Sequence, residues 1–159
     1  YRHAYEPGCG AAALTLELAK RCDSLLASDF CPSAVGAARG RVNTLPHVEA
    51  AQHALPQDWP HARAPFDLIV LSEIGYFLPA QEWQAVARAC AASLADDGDL
   101  VACDWKPDFD ERRQSTVQVH AALAALGLHR QVMHDEADFV LQVWSRDARS
   151  SAQREQIRP

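Results

Sequence analysis

The sequence lacks any long apolar run and is short of basic residues, and both absences exclude classes of partner. No apolar segment approaches the roughly 18 residues that a membrane-spanning helix needs, so we expect no membrane partner. Only 15 Lys and Arg stand against 21 Asp and Glu, which gives a formal net charge of −6. An acidic protein repels phosphate backbones, so the charge also argues against a nucleic-acid partner.

Paired cysteines are missing as well. The 159 residues contain 5 cysteines, an odd number with no CxxC spacing. Reduced thiols in a cytoplasmic protein explain this pattern better than a disulfide framework does. His129 and His134 share one strand-like segment but have no third ligand at a suitable spacing, so the sequence indicates no metal. The length and the 48% hydrophobic content are typical of one globular domain.

Strand-like and helix-like segments alternate along the whole chain, which is typical of an α/β fold with a parallel sheet. The clearest strand has the sequence FDLIVLS (residues 66–72) and is almost entirely apolar, as a central parallel strand should be. We predict helices over residues 11–22, from Pro32 onward, over 80–94 and over 111–126. The predicted strands cover residues 3–6, 25–29, 48–52, 66–72, 100–104, 128–134 and 139–144, and the last two form a closing hairpin.

A glycine-containing turn, EPGCG (residues 6–10), follows the first predicted strand. Gly8 and Gly10 have no Cβ, so the backbone there can come close to a ligand. Asp29 ends the second strand, where a carboxylate can accept hydrogen bonds from both hydroxyls of a ribose. The alternative for Asp29 is an N-cap of the next helix. The pattern predicts a nucleoside-binding crevice, with Phe30 placed to cover one face of the adenine.

The turn, with Glu6 before its first glycine, resembles the first motif of class I S-adenosylmethionine (SAM) methyltransferases. The resemblance implies a Rossmann-like, seven-stranded sheet of order 3-2-1-4-5-7-6, with strand 7 antiparallel and helices on both faces. It also implies SAM as the cofactor, with the turn around its amino acid end. His53 follows strand 3, where relatives often carry an aspartate that contacts the adenine amino group. Its imidazole either takes over that contact or belongs to an exposed loop.

Two longer segments, FDLIVLSEIGYFL (residues 66–78) and LADDGDLVACDW (94–105), resemble the nodulation protein S (NodS) methyltransferases. That family N-methylates a deacetylated glucosamine unit of chitooligosaccharides. The resemblance implies an amino sugar or oligosaccharide acceptor, and a sugar N-deacetylase as a fused or associated partner. It covers residues 4 to about 145 and lacks the family's N-terminal cap helices. We therefore expect a methyltransferase domain over residues 1–145 and a disordered polar tail over 146–159.

Ser72 and Glu73 lie where the fourth strand opens into the predicted crevice, at the sheet edge where such folds bind ligands. We assign Ser72 to the cofactor site and Glu73 to catalysis, as a carboxylate that orients an amine and takes its proton. A solvated loop carboxylate is the alternative for Glu73. Tyr76 either walls the acceptor pocket or packs in the core. Asp104 and Trp105 begin an acidic, aromatic rim that either binds a sugar amine or is a solvated surface.

Two other classes stay open at this stage. A nicotinamide-linked oxidoreductase would use the same glycine turn and Asp29, although the closing hairpin and the missing second domain argue against it. A non-catalytic SAM-binding module would share the whole cofactor site. The sequence favours a SAM-dependent methyltransferase acting on a small acceptor, with an amino sugar as the first choice.

Overall fold

A mixed seven-stranded sheet forms the centre of the protein in its computed structural model, which describes residues 1–157. The strand order is β3-β2-β1-β4-β5-β7-β6, and β7 runs antiparallel to both β5 and β6. The predicted fold and strand order are therefore confirmed. The strands are β1 (His3–Pro7), β2 (Ser24–Asp29), β3 (Val48–Gln52), β4 (Phe66–Ser72), β5 (Leu94–Trp105), β6 (His129–Asp135) and β7 (Phe139–Ser145).

Helices cover both faces of this sheet. They are α1 (Ala13–Leu18), α2 (Pro32–Val42), α3 (Ala80–Ser93), α4 (Thr116–Ala124) and α5 (Ser151–Arg154). Side chains of β4 show why there are two covered faces, because Leu68 packs in one apolar cluster with Ala19, while Ile69 packs in another with Trp83. Neighbouring strand residues point to opposite faces, so an almost wholly apolar strand requires cover on both. Within residues 1–157, no helix is long and apolar enough to cross a membrane.

Two helices differ from the prediction in length. The first is short: α1 gives way to a 3₁₀ turn over Ala19–Arg21. The helix expected to begin at residue 111 begins at Thr116, because Ser115 and Gln118 form a capping box there. The residues before Ser115 are instead engaged in loop contacts. Gln114, for example, donates side-chain hydrogen bonds of 2.9 Å to the carbonyls of Gly75 and Leu78.

The polar tail also differs from the prediction in its described part. Residues 151–154 form α5, whose first turn is capped by the Ser150 hydroxyl. Arg154 donates to Asp99 at 2.9 Å, and both side chains are largely buried. A buried carboxylate is costly without a partner, so this ion pair holds the tail against the middle of β5. Arg158 and Pro159 lie outside the described residues, and the domain boundaries stay a prediction.

The site is positioned by the reversal of strand order between β1 and β4. The chain winds outward from β1 through β2 to β3, and then outward in the other direction from β4 to β5. Loops that leave the carboxyl ends of β1 and β4 therefore diverge and open a crevice between them. The glycine turn and Glu73 follow these two strands directly.

Candidate cofactor and acceptor site

A cavity of about 540 Å³ opens at the carboxyl edge of the sheet. Its volume is ordinary for a small-molecule site. Loops that follow β1, β2, β3 and β4 all contribute to it. Five predicted site residues line it together with a largely apolar wall: Gly8, Asp29, Phe30, His53 and Glu73, then Ala54, Leu55, Ile74, Phe77 and Leu78.

The two glycines of the first turn have positive φ angles, +75° at Gly8 and +51° at Gly10, a region that other residues rarely adopt. Their surroundings differ. A Cβ atom on Gly8 would clash with Cγ2 of Ile74, whereas a Cβ on Gly10 would have no described atom within 4 Å. Gly8 is therefore required for packing between the two loops. Gly10 has open space around it but is not among the residues that line the cavity.

Asp29 holds this turn in place. Its Oδ2 accepts a hydrogen bond from the Gly10 amide at 3.0 Å, and its Oδ1 accepts one from the Cys31 amide at 2.9 Å. Each carboxylate oxygen has a further acceptor position, so the side chain can still bind ribose hydroxyls. Next to it, Phe30 leaves 72% of its surface exposed on the cavity wall. An aromatic face is therefore available for stacking on a base.

Glu6 lies beneath the turn and does not reach the cavity surface. It is only 2% exposed, and its Oε2 is buried with no hydrogen-bond partner among residues 1–157. Burial raises the pKa of Glu6 to about 7, and the nearby Thr15 hydroxyl opposes part of this rise. A buried carboxylate oxygen without a donor suits a ligand that carries a cationic group.

His53 and Ser72 have different places in the site. His53 is half-buried on the cavity wall, and its Nδ1 has no hydrogen-bond partner in the described part of the chain. That nitrogen is itself buried, although other atoms of the side chain line the cavity. Ser72 ends β4 beside Cys103 of β5 and does not line the cavity.

Glu73 follows β4 and turns into the cavity with a left-handed backbone, at φ +59°. Its Oε2 accepts hydrogen bonds from the Tyr76 hydroxyl and, at 3.3 Å, from the Trp105 amide. In residues 1–157 no donor contacts Oε1. The side chain is thus held through Oε2, and Oε1 can accept a hydrogen bond from a ligand in the cavity.

The predicted pocket wall is corrected at Tyr76. Tyr76 is 3% exposed and does not line the cavity, whereas its neighbour Phe77 is 47% exposed and does. Both belong to the 3₁₀ turn Gly75–Phe77, where successive side chains point in directions about 120° apart. Burial, followed by the hydrogen bond to Glu73, raises the pKa of Tyr76 well above its ordinary value. Tyr76 therefore stays protonated and donates to Glu73.

The predicted rim is corrected at Asp104. This residue is 1% exposed beneath α4, and its Oδ2 lies 3.0 Å from Nε2 of His120. Trp105 is 42% exposed on the opposite side, because adjacent strand residues alternate between faces. The exposed acidic residues of the rim are instead Asp108, Asp110 and Glu111, in the loop that follows.

The sequence does not identify several of the lining residues. Leu55, Ile74 and Leu78 are apolar residues in loops, and no periodic pattern marks them as parts of a cavity. Phe77 stands beside Tyr76 in the SEIGYFL segment, but the sequence cannot tell which of the two rings points outward. No set of three or more His, Cys, Asp and Glu side chains in the described residues is arranged to hold a metal ion.

The fold and the glycine turn are those of a class I SAM-dependent methyltransferase domain. Residues 4–98 match a sequence family described as a methyltransferase domain, and the chain belongs to that family. Within it, the chain resembles nodulation protein S, as the sequence predicted. This assignment sets aside the nicotinamide-linked alternative.

Two nodulation S proteins show the extent of this similarity. The protein from Rhizobium tropici is 36% identical over 100 residues, and the one from Bradyrhizobium diazoefficiens is 32% identical over 99 residues. Each match covers 62% of this chain but only 41% and 46%, respectively, of the relative. The chain thus spans less than half of the length of these curated relatives.

Solved structures extend the similarity to nearly the whole chain. A Pseudomonas syringae protein assigned to the methyltransferases is 41% identical, with a TM-score of 0.81, over 92% of this chain and 88% of its own. The N-methyltransferase NodS from Bradyrhizobium japonicum, in complex with S-adenosylhomocysteine, is 25% identical. Its TM-score is 0.73, over 90% of this chain and 76% of its own.

Proposed function

We propose that the protein transfers a methyl group from SAM to the amine of a small acceptor, with an amino sugar or a deacetylated chitooligosaccharide as first choice. One observation carries the proposal: Asp29 and Phe30, which are predicted to bind the nucleoside, line the same cavity as the carboxylate of Glu73. Methyl transfer needs a cofactor and an acceptor side by side, and proximity is the main contribution that such an enzyme makes. The similarity to NodS, an N-methyltransferase, supports an amine as the acceptor.

The residues present fit SAM at three points. Glu6 has an unpaired buried oxygen for the ammonium group, Asp29 has free acceptor positions for the ribose, and Phe30 and His53 flank the place for adenine. When bound, SAM supplies a methyl group that is already activated by its sulfonium. The residues that we propose hold SAM are Glu6, Gly8, Gly10, Asp29, Phe30 and His53. Ser72, which is predicted for the same role, ends β4 outside the cavity lining.

Glu73 is proposed as the catalytic carboxylate. An amine attacks only when it is neutral, and Oε1 of Glu73 can accept a hydrogen bond from the amine and orient its lone pair. The acceptor nitrogen forms a bond to the methyl carbon as the bond from that carbon to sulfur breaks. The nitrogen then gives up a proton to Glu73, directly or through water. No covalent enzyme intermediate is required, so the chain's thiols have no part in the reaction.

The acceptor is proposed to bind between the cavity and the acidic rim. Phe77 and Trp105 expose 47% and 42% of their surfaces, respectively, and a sugar ring can stack on such faces. Asp110 and Glu111 lie in the loop after Trp105 and are exposed, whereas Asp108 of the same loop is paired with Arg112 at 3.6 Å. The negative charge of Asp110 and Glu111 attracts an amino sugar in its ammonium form.

The test is methyl transfer by the purified chain to a deacetylated chitooligosaccharide. We expect S-adenosylhomocysteine to form together with a product heavier by one methyl group. The fully N-acetylated oligosaccharide is the control, because it has the same rings but no free amine, and it should not react. Methylation of a phenol or a carboxylate in place of any amine would contradict the proposed acceptor and leave the enzyme class standing.

We also propose a cytoplasmic location and a methyltransferase domain over residues 1–145. All 5 cysteines are free thiols, which suits a reducing compartment. A sugar N-deacetylase is the expected functional partner, because deacetylation produces the free amine that this reaction consumes.

A further inference from the structure

We infer that Arg112 is a positioning residue that holds the Glu73 carboxylate in its observed orientation. This inference rests on the proposed function, in which Glu73 orients the acceptor amine. Arg112 lies in the loop between β5 and α4 (residues 106–115), and nothing in the sequence marks it. The contacts of its guanidinium indicate this role.

The Arg112 guanidinium is almost completely enclosed, since its side chain is only 8% exposed. It donates hydrogen bonds to the carbonyl of Trp105 at 2.8 Å, to the carbonyl of Pro107 at 3.0 Å and to the Thr116 hydroxyl at 2.9 Å. A buried charge is tolerated only with such partners. Through these bonds the guanidinium connects the end of β5, the loop and the start of α4.

The same group is stacked between two aromatic rings. Its Cζ lies 4.8 Å from the ring centroid of Tyr76 and 4.8 Å from that of Phe109. At these distances the cation attracts both ring faces. The rings of Tyr76 and Phe109 also meet edge to face, with centroids 5.1 Å apart. The Tyr76 ring is therefore held in one orientation.

Both donors to Glu73 depend on Arg112. The Tyr76 hydroxyl donates to Oε2 of Glu73, and Arg112 stacks on that ring. The Trp105 amide donates to the same oxygen at 3.3 Å, and Arg112 holds the Trp105 carbonyl. Glu73 itself has a strained backbone with φ +59°, which persists only when its surroundings determine it. Loss of the guanidinium should therefore free both donors and let the carboxylate turn away.

The central experiment is a double-mutant cycle of Arg112→Met and Glu73→Gln, read by kcat on the deacetylated oligosaccharide. Arg112→Met keeps the apolar stem, and we expect kcat to fall by roughly 10–100-fold, the scale of a small misplacement of a catalytic group. The affinity for SAM should stay within about threefold of wild type, because Arg112 does not touch the cofactor residues. In the Glu73→Gln background, Arg112→Met should lower kcat little further, because the effects of two substitutions that act through one group do not add.

Three further variants separate positioning from folding. Tyr76→Phe removes only the hydroxyl donor and leaves the stacked ring, and it should lower kcat in the same direction as Arg112→Met. Arg112→Lys keeps the charge but not the planar fork, and it should recover only part of the activity. Arg113→Met is the matched control, since this neighbouring arginine is exposed and its side chain makes no hydrogen bond among the described residues; it should behave as wild type.

Amide hydrogen exchange on the free protein gives a readout that does not depend on the reaction. Arg112→Met should speed exchange in residues 103–113 and 72–78, with residues 24–34 unchanged. If the wild type methylated no amino sugar, the proposed function would fail, and the exchange result would still decide the positioning role. Unchanged exchange in these segments, or losses of kcat that multiply in the double mutant, would overturn the inference.

Discussion

The buried carboxyl group of Glu6 makes the stability of the protein depend on pH in a direction opposite to that of most carboxylates. Glu6 is 2% exposed, and burial raises its pKa from 4.5 to about 7. At about 1.4 kcal/mol for each unit of pKa, this difference corresponds to roughly 3 kcal/mol between the protonated and the charged forms. The free energy of unfolding should therefore change by this amount as Glu6 titrates.

The sign follows from proton binding. Between pH 4.5 and about 7 the folded state keeps a proton on Glu6 that the unfolded state has lost. Stability from this group is therefore complete below pH 4.5 and declines as the pH rises through about 7. Glu6→Gln removes the titration and keeps the size of the side chain. We expect the free energy of unfolding of the variant, relative to that of wild type, to increase by roughly 2–3 kcal/mol as the pH rises from 5 to 8.

Urea denaturation of both proteins without ligand, at half-unit steps of pH, measures this gain directly. Glu111→Gln is the matched control, because Glu111 is an exposed carboxylate. The stability of this variant relative to wild type should change little over the same pH range. If the stability difference between Glu6→Gln and wild type were the same at pH 5 and pH 8, Glu6 would not be a buried carboxyl with a raised pKa. The unpaired oxygen of Glu6 would then give no support for a cationic ligand beside it.

Three further predictions concern Asp29 and the glycine turn. Asp29→Ala should weaken SAM binding by about 1.5–3 kcal/mol for each ribose hydrogen bond lost, before compensation, and Asp29→Asn should lose less. Equal SAM affinities of wild type and Asp29→Ala by calorimetry would refute the ribose assignment. Gly8→Ala should lower the melting temperature more than Gly10→Ala, because only the first Cβ meets Ile74. Gly10→Val should leave a folded protein that no longer binds SAM, and near-normal affinity in that variant would contradict the assigned turn.

The sequence predicts the parts of this structure that depend on local patterns. The apolar run of β4 marks a central strand, and the glycine turn and Asp29 mark the crevice, because each rule involves a strand and the residues that follow it directly. The closing hairpin is equally visible, since two strand-like segments stand only a few residues apart.

Other parts depend on contacts between segments that are distant in the chain. Tyr76 faces inward because Arg112 and Phe109 enclose it, and Asp104 is buried because His120 of α4 meets it. The tail folds back because Arg154 finds Asp99, 55 residues away. Only the three-dimensional structure brings these partners together, so the sequence identifies more of the candidate cofactor site than of the candidate acceptor site.

The most direct test of the proposed chemistry is the Glu73→Gln variant, assayed for SAM binding by calorimetry and for methyl transfer to a deacetylated chitooligosaccharide. The amide keeps the size of the side chain and an oxygen for Tyr76 and Trp105, but it cannot take a proton from an amine. We expect SAM affinity close to that of wild type and a loss of methyl transfer of roughly 10²–10⁴-fold, the usual range for a positioned acid–base group. Undiminished methyl transfer by Glu73→Gln would contradict the account, because proximity alone would then explain the reaction. A loss of SAM affinity instead would move Glu73 to the cofactor site.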